Sequence, residues 1–361
     1  MIPHFHEDRL VVILKELEPF KKEIQGIVVE STYNWYWLVD GLREAKYKVH
    51  LANPAEMQQY SGAKYTDDKW DSYWLAHMLR LGILPEGYIY PKEIRPIRDL
   101  LRKRTMLVRH RTAHVLSLQN MVNRNTGRKL KVNDAKRLGE EKISKLFEDG
   151  HLIMAVQSDK AVIDFFNEQI ESIETVVQKE VKLWYPYEEL LTVPGIGKIL
   201  GITIMLETGD INRFPTVSDY SSYCRCVSSK KISNGKKKGE GNKKNGNKYL
   251  AWAYVEAANF MRRYSEPARS WHQRKESKTN KIVAIKALSN KIAKACYFII
   301  KDQKPFDPKK LFQYGTNDFL GQILARGEGI TRTSMPSCKW GIIPKKALIR
   351  MGDWCGFIIR N

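Results

Sequence analysis

The sequence predicts a chain of mixed class: an α/β segment first, then an antiparallel helical coiled coil, then a mainly helical region holding a helix-hairpin-helix. Three observations lead there. Two short β-branched runs, Ile27-Val28-Val29 and Val49-His50-Leu51-Ala52, flank a stretch with helical spacing. Two long apolar stripes follow, separated by a polar stretch. Beyond them, Leu190 to Leu206 reads as two short helices around Val193-Pro194-Gly195-Ile196-Gly197-Lys198.

Each element has its own warrant. Trp35, Leu38, Val39, Leu42 and Ala45 recur at helical spacing between the two runs, which makes a strand-helix-strand unit of a parallel sheet. A further helix starts at Thr66 or Asp67, both good N-caps, and carries Trp70, Trp74, Leu75, Met78 and Leu79 inward; Gly82 and Pro85 end it. The first long stripe runs through Ile94, Ile97, Leu101, Val108, Val115, Leu118 and Val122. The second runs through Ile163, Phe166, Ile170, Ile173, Val177, Val181 and Trp184, with polar residues 123–149 between them. Arg95, Arg98, Arg102, Lys103, Arg104, Arg109 and Arg111 decorate the first stripe, as a solvated basic face or as a phosphate-tracking surface. Pro186 marks a boundary. Residues 225–248 hold one arginine and eight lysines against the single Glu240, on a Gly- and Asn-rich backbone that reads as a loop. Helical spacing resumes at Tyr249 and again over 282–299. The expected segments are 1–89, 90–185, 186–312 and a tail, 313–361, with no assigned element.

Composition narrows the function. With 43% hydrophobic and 28% charged residues, the 361-residue chain has an ordinary globular balance. Lys plus Arg is 61 against 40 for Asp plus Glu, a net charge of +21 that calls for a polyanionic partner, most often nucleic acid. Five irregularly spaced cysteines speak against a secreted disulfide framework. No apolar run approaches the ~18 residues of a membrane span, and MIPHFHEDRL lacks the pattern of a signal peptide. The expectation is a cytoplasmic nucleic-acid protein.

Four sets of residues are candidates for chemistry. Lys230, Lys231, Lys236, Lys237, Lys238, Lys243 and Lys244 suit phosphate contact. Gly195, Gly197 and Lys198 fit a helix-hairpin-helix whose glycines let backbone approach phosphate; a plain helix-helix turn fits them too. Asp68 and Asp71 share one helix face at i, i+3, and Glu30 ends a predicted strand, where open α/β sheets place their sites. Carboxylates so gathered suit Mg²⁺, whereas Asp67 reads equally as a structural N-cap. Ser233, in Ser233-Asn234-Gly235-Lys236, is a hydroxyl within the basic tract and a candidate nucleophile; a solvated loop serine is the plainer reading. Cys224-Arg225-Cys226 lacks zinc-knuckle spacing, and His110 and His114 lack a third ligand, so inert thiols and surface imidazoles are expected.

These pieces, in order, resemble the DEDD-type insertion-sequence transposases (the "IS one-ten" family), recombinases guided by a bridge RNA. The stretch Val28-Val29-Glu30-Ser31-Thr32-Tyr33-Asn34-Trp35, then Leu42 to Pro54, then Thr66 to Leu81 carry the likeness in the first part. Leu191 to Gly197, then Glu207-Thr208-Gly209-Asp210-Ile211 with Arg213-Phe214, then the serine loop leading to Gly246-Asn247-Lys248-Tyr249-Leu250 carry it in the second. The resemblance runs from about residue 24 to 312.

The resemblance implies a RuvC-like, RNase H-type domain whose carboxylates bind Mg²⁺, and a helical domain supplying a serine that forms a phosphoserine link to DNA. It also implies a guide RNA, a homo-oligomer with sites composed from two subunits, and a nucleoid-associated place in a bacterial or archaeal cell. Glu30, Asp68 and Asp71 match the second, third and fourth acidic positions, and Ser233 matches the serine, with Asn234 in place of the usual glycine. No Asp matches the first acidic position, since Asp8 lacks the strand context; the expectation is a chain shortened at its N-terminus. Two other readings fit the same residues: a non-catalytic nucleic-acid-binding remnant, and a metal-dependent junction nuclease that does not use Ser233.

Overall fold

The computed structural model describes residues 5–31, 34–57, 67–181, 186–229, 231–240 and 245–312. These belong to one compact unit. It is mostly helical, with one parallel and one antiparallel pair of strands among the described residues. Thr66, Lys230, Lys243, Lys244 and the tail 313–361 lie outside them.

The first segment comprises α1 (Phe5–Leu17), β1 (Ile27–Glu30), α2 (Tyr36–Glu44), β2 (Val49–Ala52) and α3 (Asp68–Arg80). β1 and β2 pair in parallel, with Ile27 opposite Val49 and Glu30 opposite Ala52. The β-branched runs form strands because their apolar side chains are covered on one side by α2, through Val39 and Leu42. On the other side α3 contributes Leu75 and Met78, which pack with Ala52 and Val28. Asp67 caps α3, its carboxylate accepting from the Trp70 amide at 2.7 Å. Trp70, expected inward, is instead 36% exposed and stacks on Trp74 at 5.8 Å, near the start of α3.

Two helices of equal length, α4 (Arg95–Thr126) and α7 (Gly150–Val181), form the expected antiparallel pair. Ile97 and Leu101 share a core with Val177 and Val181, whereas Val115, Leu118 and Val122 share one with Val156 and Ile163. Polar contacts keep the same sense: Arg104 bonds Glu174, Arg111 bonds Asn167, and His114 bonds Asp159. The polar stretch between them is more than a linker. It folds α5 (Val132–Lys136) and α6 (Glu140–Ser144), whose Ala135 and Ile143 join Leu138 and Phe147 in closing the end of the pair.

The remaining helices are α8 (Tyr187–Leu191), α9 (Lys198–Thr208), α10 (Val217–Tyr223), α11 (Lys248–Tyr264), α12 (Glu266–Lys278), α13 (Lys281–Asp302) and α14 (Pro308–Phe312). α9 is buried nearly all round; α11 packs beside it and α13 packs on α11, in one core that holds Ala253, Ala257, Leu288 and Ile292. Cys224, Cys226 and Cys296 are free, buried thiols in this core. No described helix is long and apolar enough to cross a membrane.

The lysine tract is not wholly a loop. β3 (Lys231–Ser233) and β4 (Lys236–Gly239) form an antiparallel hairpin. Asn234 and Gly235, with φ of 50° and 69°, make its two-residue turn, the left-handed pair that matches strand twist. Composition concealed this element, since lysine and glycine are poor strand formers and the Asn-Gly signal is only two residues long.

Candidate functional site

Glu30 is exposed at the carboxyl end of β1. Asp68 and Asp71 occupy the first turn of α3, the former exposed and the latter half-buried. Gly26, just before β1, faces Leu79 near the end of α3, and Val28 packs with Leu75 and Met78 of that helix. Among the described residues, no three His, Cys, Asp or Glu side chains converge closely enough to hold a metal ion.

Ser233 is exposed at the end of β3, opposite Lys236 and beside the turn. Lys236 and Lys238 are exposed on β4; Lys231 and Lys237 are placed by their backbones in the same hairpin. The base of this arm is clamped. Arg225, at φ 53°, donates through Nε to the carbonyls of Asn245 at 2.8 Å and Gly246 at 3.0 Å. The Asn247 amide donates to the Tyr223 carbonyl at 2.6 Å. Asn245 also hydrogen-bonds Glu56, which ties the arm's base to the loop after β2. No hydrogen bond among the described residues links Ser233 to Glu30, Asp68 or Asp71.

Gly195 and Gly197 divide the hairpin's work. At φ 95°, Gly195 sits so close to α11 that a Cβ would stand 2.5 Å from the Ala257 carbonyl oxygen and the Met261 nitrogen. Its bareness thus serves helix packing. Gly197 is the N-cap of α9 and has open space around it, and Lys198 is exposed at the first helical position.

The basic stripe of α4 needs correction. Arg95 and Arg98 are buried, and Arg102, Arg104 and Arg111 are committed to partners inside the molecule; Lys103 and Arg109 are exposed. Arg95 donates to Asp40 on α2 at 2.8 Å and to the Tyr90 carbonyl at 2.7 Å. Arg98 and Arg102 converge on Glu207, at 3.1 Å for Arg98 Nε and at 2.6 and 2.8 Å for the Arg102 fork. Asn247 Nδ2 completes the set at 2.7 Å from Glu207, while its Oδ1 caps α11. Burial pushes the Glu207 carboxyl up, but hydrogen bonds and charge from Arg102 and Arg98 outweigh it and hold the group below its usual range. Burial also lowers Arg102, and the Glu207 carboxylate more than restores it. Tyr90 donates to the Glu207 carbonyl at 2.7 Å, and its burial keeps the phenol well above its ordinary value.

Sequence reasoning singled out Glu207 and Asn247 only as parts of longer motifs, without a role. The available signal was a carboxylate directly after the mostly apolar run Ile202 to Leu206, where an unpaired charge would be costly. Its partners stand 105 and 109 residues earlier, beyond any spacing rule.

Comparison with known proteins accords with this arrangement. A model described as the Transposase IS116/IS110/IS902 family matches residues 187–273. A second transposase model, for the DEDD domain of the IS110 group, matches residues 3–125. No curated protein matches the chain. A DEDD domain implies a divalent metal, and a transposase implies DNA as a partner. With the acidic strand-and-helix unit under one model and the hairpin-bearing helical core under the other, the chain belongs to the IS110 family of transposases, with a DEDD N-terminal domain and a C-terminal transposase domain.

Proposed function

We propose that this transposase cuts and rejoins the DNA of an insertion sequence with Ser233 as nucleophile and Glu30, Asp68 and Asp71 as ligands for Mg²⁺. The observation that carries the reading is the exposure of Ser233 at the tip of a cationic hairpin, with Asn245 beyond it tied to Glu56 in the loop after β2. A rigid base with a projecting tip suits delivery of a hydroxyl to a phosphodiester, in this protomer or a partner.

The donor chemistry fits the ion. Mg²⁺ takes hard oxygen ligands and commonly uses one or two carboxylates, completing its shell with water and substrate phosphate oxygens. Glu30, Asp68 and Asp71 supply such oxygens, in keeping with an RNase H-type arrangement of the first segment. When bound, the ion would neutralise charge on the phosphate under attack. The remaining steps belong to the chain. Ser233 Oγ loses its proton and bonds to phosphorus, and the P–O bond to one deoxyribose oxygen breaks, leaving that strand end as a free hydroxyl. Attack by a hydroxyl of the exchanged strand then releases Ser233 and restores the phosphodiester. Lys236 and Lys238, with Lys231, Lys237 and the flanking Lys230, Lys243 and Lys244, would hold the strand by its phosphates; Lys198 and Gly197 would hold a second stretch.

Target choice by a guide RNA and assembly into a homo-oligomer complete the proposal. Sites composed from two protomers, each giving one half, belong to the same proposal. The test is incubation with element DNA, its flanking RNA and Mg²⁺, followed by denaturing electrophoresis. A covalent protein–DNA adduct that disappears in Ser233→Ala is expected. Cleavage by Ser233→Ala equal to that of the parent would overturn the serine mechanism in favour of direct hydrolysis.

A further inference from the structure

Between the carboxyl edge of the parallel strands and the base of the arm lies a cavity of about 470 Å³. That size lies within the ~300–1,000 Å³ of sites that enclose small ligands. Ser31 and Asn53, which directly follow β1 and β2, line it together with Tyr88, Arg213, Tyr223, Tyr249, Arg98 and Arg102.

The lining is aromatic and cationic in alternation. The Arg213 guanidinium lies 4.4 Å from the Tyr88 ring and 4.4 Å from the Tyr223 ring. Arg102 lies 4.5 Å over Tyr249, and Arg98 3.7 Å over Tyr90. Two guanidiniums, Arg98 and Arg102, share the single Glu207 carboxylate. Two carboxylates, Glu56 and Glu86, also line the cavity, Glu86 paired with His50 at 2.9 Å and Glu56 accepting from the Asn245 side-chain amide. Arg213 gives the sharpest sign. Its Nε donates to the Thr208 carbonyl at 3.2 Å, yet its Nη2 is buried with no acceptor. A charged donor left so is unfavourable unless an acceptor arrives.

The geometry points to a pocket for one nucleotide of a single-stranded nucleic acid, its base against the Tyr88, Tyr223 and Tyr249 rings and its phosphate on Arg213 and Arg102. Phosphate oxygens match the guanidinium fork, and tyrosine faces accept any base. Such a site extracts a nucleotide from a strand whose neighbouring phosphodiester then lies toward Glu30, one residue from Ser31. Binding here needs neither Ser233 nor the carboxylates, so it stands apart from the cleavage reading.

The probe is a single-stranded 12-mer carrying 5-iodouracil, irradiated with the full-length protein and mapped by mass spectrometry. Crosslinks to Tyr88, Tyr223 or Tyr249 are expected; crosslinks confined to the arm or to outer lysines would overturn the site. By fluorescence anisotropy, Arg213→Met and, independently, Tyr249→Leu should each weaken the 12-mer about tenfold, with thermal unfolding recorded to verify the fold. An abasic 12-mer should lose the same factor. Equal affinity for abasic and intact strands, or unchanged affinity in a folded Tyr249→Leu protein, would refute the pocket. DNA and RNA versions identify the source by which one crosslinks. Ser233→Ala must still crosslink, and absence of a covalent adduct from the unsubstituted protein with the crosslink intact refutes only the cleavage reading.

Discussion

Arg102 and Glu207, 105 residues apart in the chain, meet in a bidentate contact with Nε 2.6 Å from Oε1 and Nη2 2.8 Å from Oε2. Arg98 and Asn247 bind the same carboxylate, which is only 1% exposed. One side chain thus joins the first turns of α4 to α9 and to the cap of α11, while Arg95 joins the same part of α4 to α2. Removing it strands the buried Arg98 guanidinium and takes the partner of the half-buried Arg102 away. Glu207→Ala should cost about 3–5 kcal/mol of folding stability, the usual range for breaking a buried pair from one side. Urea unfolding measures it, and a loss below about 1 kcal/mol would show that the network is not structural.

The same carboxyl gives a pH signature. Its folded value is depressed below the ordinary range, so its stabilisation is complete above the unfolded carboxylate pKa of about 4.3 and is lost as pH falls through the lower folded value. Wild type should therefore lose its advantage over Glu207→Gln as pH falls below about 4. Unfolding midpoints of both proteins from pH 7 to pH 3 test this; a constant gap would contradict it.

Gly195 and Gly197 make a matched pair of substitutions. Gly195→Ala adds a Cβ at φ 95° and drives it into α11 backbone, so it should lose well over about 1 kcal/mol. Gly197→Ala, placed in open space, should lose less. Thermal melts of the two proteins settle the order, and a reversed order would mean that Gly195 is not the packing glycine.

The buried thiols offer a chemical check. Burial pushes Cys226 and Cys296 up to about 12, and raises Cys224 as well. At pH 8 these three should resist iodoacetamide in the folded protein and react after denaturation. Mass spectrometry of tryptic peptides reads the difference, and rapid native labelling of Cys296 would contradict its placement in the core.

Local patterns made part of this molecule readable. The runs around Val28 and Leu51, and the stripes through Leu118 and Ile163, announce strands and paired helices because their periodicity reflects burial within a single element. Asp67 was readable as a cap for the same reason. The arginines of α4 were not, because a helix-surface pattern cannot tell a solvated guanidinium from one whose carboxylate lies more than a hundred residues ahead. Gly195 was legible as a turn glycine, but its close neighbour α11 is a tertiary fact. At the candidate site, residue types and order pointed to Glu30, Asp68, Asp71 and Ser233; the aromatic-arginine cavity beside them draws on all three segments and has no local signature.

The hairpin turn separates function from folding. Asn234 and Gly235 both hold left-handed φ, and Ser233 and Ile232 flank them in solvent, with Ile232 63% exposed. Ser233→Ala removes only a solvated hydroxyl, so unfolding should stay within about 0.5 kcal/mol of wild type. Gly235→Val puts a β-branched residue at positive φ and should splay the strands that present Ser233. We expect both variants to melt like the parent while neither forms the protein–DNA adduct. Thermal denaturation and denaturing electrophoresis on the same preparations decide it. Adduct yield in Gly235→Val equal to the parent would mean that the tip's geometry does not position the proposed nucleophile, Ser233.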